Sequence, residues 1–194
     1  MFHQLQTKTH FTLRLARLVS LLLALAASLS IGIAGAQKRD HLTEKEMELV
    51  RDSQILDKRI EIFIKAADRR FAIITGTVKP PDKKSKKDEE LWGDLPKGSR
   101  AELLSDVAGI LDEAITNIDD VSRRDEKNPL ISRSLRKLTT ASNGYVNQLT
   151  ALRNQTKDDD EIAAIERVLE NANQIIEVGS NLPAPSQDSK KTKP

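Results

Sequence analysis

Apolar side chains recur at intervals of three and four residues in four separate stretches of this 194-residue chain, and each stretch opens on a helix-capping signal. A period near 3.6 places them on one face of a helix, so each stretch must bury its stripe against another element. No run alternates apolar and polar residues between hairpin turns, so nothing in the sequence competes with helix. The expected fold class is all-α, an antiparallel four-helix bundle in which the four stripes meet.

The first helix spans about 43–75. Thr43 and Glu46 form a capping box, each side chain accepting from a backbone N–H that the helix leaves free. Its stripe is Leu49, Leu56, Ile60, Phe63, Ala67, Phe71 and Ile74, and Gly76 is placed to end it. The stripe skips a turn at Asp52-Ser53-Gln54, which marks a kink near residues 52–54 or, as the fallback, a short leading helix followed by a main one. The second helix, 99–122, opens on the pair Ser99 and Glu102 and carries Leu103, Val107, Leu111, Ala114 and Ile118. Asn128-Pro129 opens the third, 129–156, with Ile131, Leu135, Leu138, Ser142, Tyr145, Leu149 and Leu152. The fourth, 159–178, follows Asp158 and carries Ile162, Ile165, Leu169, Ala172 and Ile176, stopping at Gly179. Short connections among the last three predict antiparallel neighbours. Gly109 and Gly144 lie inside helices, where each costs about 1 kcal/mol relative to Ala; both read as points of close backbone approach between helices.

Residues 1–36 differ from all that follows. Lys8, Arg14 and Arg17 precede an apolar run from Leu18 to Ile33, and Ala34-Gly35-Ala36 then meets the polar Gln37. That is the three-part pattern of a secretory signal peptide cleaved between Ala36 and Gln37, with Ala34 and Ala36 as the small residues of the site. The apolar run of about 16 residues is short for a span that needs roughly 20; an uncleaved anchor is the alternative, and membrane contact is expected only through that segment. Loss of its three basic residues takes Lys plus Arg from 31 to 28 against 29 acidic residues, so the basic balance of the whole chain is no argument for a nucleic-acid partner. The expected layout is signal peptide 1–36, helical domain 37–182 interrupted by a long charged loop 77–98, and a disordered tail 183–194. Localisation is read as periplasmic or secreted.

The absence of Cys excludes disulfides, thiolate metal sites and a thiol nucleophile. Outside the first 36 residues only His41 remains as an imidazole, placed ahead of the first helix with no reason to be oriented. No Gly-rich phosphate cradle, G-x-S-x-G elbow or H-E-x-x-H occurs. The chain therefore reads as non-catalytic, with no cofactor and no metal. Asp158-Asp159-Asp160-Glu161 reads as an acidic helix start, and Lys83, Lys84, Lys86 and Lys87 as a solvated loop.

Two features suit partner binding. Arg59, Lys65, Arg69 and Arg70 on the first helix are candidates for a groove that takes an acidic partner. Trp92, alone in a polar loop, reads as docked on one end of the bundle under a cap formed with Leu91 and Leu95, or else as an exposed partner anchor. The opening Leu42-Thr43-Glu44-Lys45-Glu46 is similar to the Leu-Thr-x-x-Gln motif of the small periplasmic Spy and CpxP-like helical chaperones. That likeness covers five residues and ends in Glu46 where the family has Gln. It implies a holdase-like envelope chaperone, whose family cradle is a dimer of thin bent hairpins, whereas the stripes here suffice for a bundle. The leading expectation is an exported helical interaction or structural module with an unknown protein partner and an oligomeric state left open. The holdase stands second and a small-ligand binder or hydrolase third.

Overall fold

The computed structural model describes residues 40–78 and 90–182, and these are helical with no strands. Five helices are bounded here: α1 (Glu44–Asp52), α2 (Leu56–Ile74), α3 (Arg100–Arg124), α4 (Pro129–Gln155) and α5 (Asp159–Ser180). Residues 90–92 form a further helical turn. Segments 1–39, 79–89 and 183–194 lie outside the described residues, and with them the cleavage-site residues Ala34, Ala36 and Gln37, the lysine run and the tail.

The local signals act where they stand in the sequence. Thr43 with Glu46 and Ser99 with Glu102 form reciprocal capping boxes, while Asn128 and Asp158 each accept one N–H. The first helix is not continuous. The chain leaves helix at Ser53 and re-enters it after Ile55, both extended, so the short leading helix of the fallback is what forms. α1 then folds back on α2, with Glu46 beside Arg70 and Ser53 beside Arg59.

Side-chain partners fix the helix directions. Arg70 meets Asp106 and Arg59 meets Asn117, so α2 and α3 are antiparallel. Thr139 reaches Ile175 and Arg153 reaches Glu166, so α4 and α5 are antiparallel too. Lys137 meets Asp57 and Tyr145 meets Asp68, which makes α2 and α4 parallel, and Arg100 with Glu161 and Asn171 with Ala108 make α3 and α5 parallel. α2 packs on α3 and α4, α5 packs on the same two, and α2 and α5 do not touch. The helices joined by short connections, α3 to α4 and α4 to α5, run antiparallel as expected, and the parallel contacts α2–α4 and α3–α5 join helices that are not consecutive in the chain. Ile60, Phe63, Val107, Leu111, Leu138, Leu149, Ile165 and Val168 are fully buried at the centre.

The buried face of α5 is turned from the expected one. Ala164, Val168 and Ile175 are buried beside Ile165 and Ala172, while Ile162, Leu169 and Ile176 are half-buried. Packing against both α3 and α4 widens the face that α5 must bury.

The glycines separate cleanly. A Cβ on Gly109 would lie 2.9 Å from His41 Cγ, so α3 is approached there by a side chain. A Cβ on Gly144 meets nothing within 4 Å, which removes the close approach expected at that site. The tight contact between α4 and α5 is at Gly179 instead, where a Cβ would sit 2.0 Å from Thr139 Oγ1. Gly144→Ala should therefore raise stability by about 0.5–1 kcal/mol, and Gly179→Ala should lower it by roughly 1–3 kcal/mol. Urea unfolding of the two variants beside the parent chain checks both signs.

Candidate functional site

Two of the cationic candidates, Arg69 and Arg70, converge on one carboxylate. Glu46 is fully buried, and its two oxygens accept four N–H bonds: Oε1 from Arg69 Nη1 at 2.6 Å and Arg70 Nη1 at 3.0 Å, Oε2 from Arg70 Nη2 at 2.9 Å and the Thr43 backbone at 2.9 Å. A buried carboxylate is tolerable only with this kind of charge-assisted pairing. Arg70 is itself 1% exposed and donates in addition to the carbonyls of Ala66 and His41, with Asp106 3.6 Å from its Nε. Two guanidiniums and two carboxylates thus neutralise one another between α1, α2 and α3.

Arg69 turns the other way. Beyond Glu46 it donates to the carbonyls of Trp92, Gly93 and Asp94 at 3.1, 2.9 and 2.6 Å. Three successive carbonyls can face one guanidinium because Gly93 adopts φ +65°, a left-handed turn that other residues rarely take. Trp92 is buried, with Lys65 Nζ 4.6 Å and Arg69 Cζ 5.7 Å from its ring, a cation–π arrangement. The cap expected from Leu91 and Leu95 does not form. Leu91, next to Trp92 in the same helical turn, points off the face that Trp92 buries, and Leu95 follows the turn at Gly93; they remain 55% and 44% exposed.

Arg59 lies apart, at the break between α1 and α2. It donates twice to the Ser53 carbonyl, at 3.0 and 2.7 Å, and once to Asn117 Oδ1 at 2.9 Å. The basic residues of α2 therefore do meet an acidic helix, and that helix is the chain's own α1. Arg70 in particular is enclosed, not presented to solvent.

His41 was expected to lack orientation, yet its ring lies over Gly109 with Nε2 2.7 Å from Glu113 Oε2. Spacing gave no hint of this, because the pairing spans 72 residues. The burial of Glu46 and Asp106 was equally hidden: in sequence Glu46 is fully accounted for by its cap. Glu46 could have been found only by asking why a capping glutamate faces two consecutive arginines one helix later.

On the opposite side of α2, Lys137 of α4 bridges Asp57 and Glu61, each at 2.5 Å. The Lys137 and Lys58 ammoniums hold the Glu61 carboxyl below its ordinary range. Farther along, Phe71 stacks on Tyr145 at 4.6 Å, and the Tyr145 hydroxyl donates to Asp68 at 2.8 Å. Burial raises the Tyr145 pKa, and the adjacent Asp68 charge raises it further.

Among the described residues no group of three or more His, Cys, Asp or Glu is arranged to hold a metal ion, and no helix is long and apolar enough to cross a membrane. An apolar cleft of about 90 Å³ opens between α3, α4 and α5 beside Ile115, Leu138 and Val178. Comparison with protein-family models, with curated proteins and with solved structures gave no match.

Two outcomes follow. Arg70→Met should cost roughly 3–5 kcal/mol, because it strips a buried carboxylate of half its charge partners; denaturant unfolding by circular dichroism measures it. A depressed carboxyl contributes stability above its unfolded pKa and loses it as pH falls through the folded one. Glu61→Gln should therefore flatten the fall in stability below about pH 4.3, by a small amount because the side chain is 43% exposed.

Proposed function

We propose that this chain is an exported, non-catalytic helical interaction module: a four-helix bundle, delivered by cleavage of the signal peptide 1–36, that binds a protein partner through the segment 91–95 around Trp92. The observation that carries the reading is the tethering of residues 92–94. Arg69 fixes three consecutive carbonyls and Trp92 is buried, so Leu91 and Leu95 are held outward on a segment whose backbone is already ordered. Exposed apolar side chains on a pre-ordered backbone lose little entropy on binding, which favours their use as contacts. Among the described residues the other large exposed apolar side chains are Ile55, Val78 and Val178.

On this reading Arg59, Lys65, Arg69 and Arg70 serve the partner indirectly, by holding α1 and the 92–94 segment in place. A holdase, the second reading, would call on a concave apolar surface and predicts that the purified protein suppresses aggregation of an unfolded client.

A photo-crosslinking residue at position 91 or 95, in the full-length chain expressed in its own host, tests this. The expected result is a mature protein starting at Gln37 in the exported fraction and one discrete adduct from both positions, absent when the crosslinker is placed at the exposed Ala163 on α5. A cytosolic, unprocessed chain, or the same adducts from Ala163, would overturn the proposal.

A further inference from the structure

Ser53-Gln54-Ile55 breaks the first helix, yet it contains neither Gly nor Pro, and each of the three residues is compatible with helix. The break leaves several local costs. Ile55, at the N-cap of α2, offers no side-chain acceptor to the free N–H groups of the first turn and is 54% exposed. α1 packs on α2 alone among the helices, and its Met47, Leu49 and Val50 are only partly buried. An open pocket of about 260 Å³ lies beside Leu42, Met47, Val50 and Glu113.

Straightening residues 53–55 would join α1 and α2 into one helix over 44–74 and supply the missing backbone bonds. It would also withdraw Glu46 and the His41 carbonyl from Arg70, leaving that buried guanidinium with Ala66 O and Asp106. An unpaired charge at that depth is disfavoured, so the site must be refilled. The segment that restores every lost bond is residues 41–46 of an identical chain.

We propose that two copies of this chain exchange α1: in each, residues 53–55 become helical, α1 continues α2, and Leu42, Thr43 and Glu46 seat against Arg69 and Arg70 of the other copy. The contacts at the arginines are the same in both forms, so the balance is set by the joined helix against the effective concentration at which the short connection holds α1, of order mM. Dimer should therefore accumulate with protein concentration. This inference is independent of the role given to Leu91 and Leu95.

The chain has no Cys, so introduced thiols report alone. A Cβ on Gly109 would lie 3.1 Å from His41 Cβ, near disulfide reach. His41→Cys protein is mixed with Gly109→Cys protein, refolded together at high concentration and oxidised, and molar mass is followed by light scattering. Should that pair fold poorly, the molar mass of the parent chain is followed across the same concentrations beside that of Gln54→Pro. Exchange predicts a disulfide between the two different single variants and a mass that doubles with concentration. It also predicts that Gln54→Pro, which forbids the joined helix while suiting the extended Ser53, stays monomeric. A monomer at every concentration with no disulfide between copies overturns the proposal. So does a dimer that forms without that disulfide, since its interface would lie elsewhere.

Discussion

The buried carboxylate of Glu46 is the constraint on which the rest of this end of the molecule depends. Removing a carboxylate from water costs several kcal/mol even in a relaxed protein, and Glu46 is fully enclosed. It can stay there only while Arg69, Arg70 and the Thr43 amide meet its oxygens. Each of those partners brings something with it. Thr43 brings the segment that buries Leu42, Arg70 reaches the His41 carbonyl and faces Asp106, and Arg69 gathers the backbone of Trp92, Gly93 and Asp94. Segments far apart in the chain are thereby held through two adjacent residues of α2.

The arrangement of the long helices poses an electrostatic problem of its own. Parallel neighbours place like ends side by side, and the N-termini of α3 and α5 meet at one end. Their first turns carry Glu102, Asp159, Asp160 and Glu161, negative charge where two positive helix ends adjoin. Arg100 also crosses to Glu161. At the other end α2 supplies Asp57, which Lys137 of α4 approaches. A solvated charged surface is the ordinary reading of such residues; here part of the charge offsets a consequence of the topology.

What could be read from the sequence was whatever depends on residues close together in it. The capping pairs Thr43–Glu46 and Ser99–Glu102, the Asn128-Pro129 start and the gap in the stripe near residue 53 all rest on contacts within one turn, and each marks a real boundary. Helical periodicity says which face is apolar but not which helix will cover it, so the parallel pairing of α2 with α4 left no trace, and the buried face of α5 was misplaced. Gly144 looked like Gly109 because a glycine in sequence does not disclose what approaches it. Arg69 and Arg70 read as a groove for an acidic partner outside the chain because their own carboxylate lies 23 and 24 residues earlier, behind a helix break.

The central claim is that α1 is seated by the coupling of Glu46 to Arg70 and not by its thin apolar face. A double-mutant cycle tests it directly, with Glu46→Gln, Arg70→Met and the pair compared by urea unfolding. Direct coupling predicts an interaction energy of at least about 1.5 kcal/mol, the double variant being far less damaged than the sum of the singles. Additivity within about 0.5 kcal/mol would contradict the account.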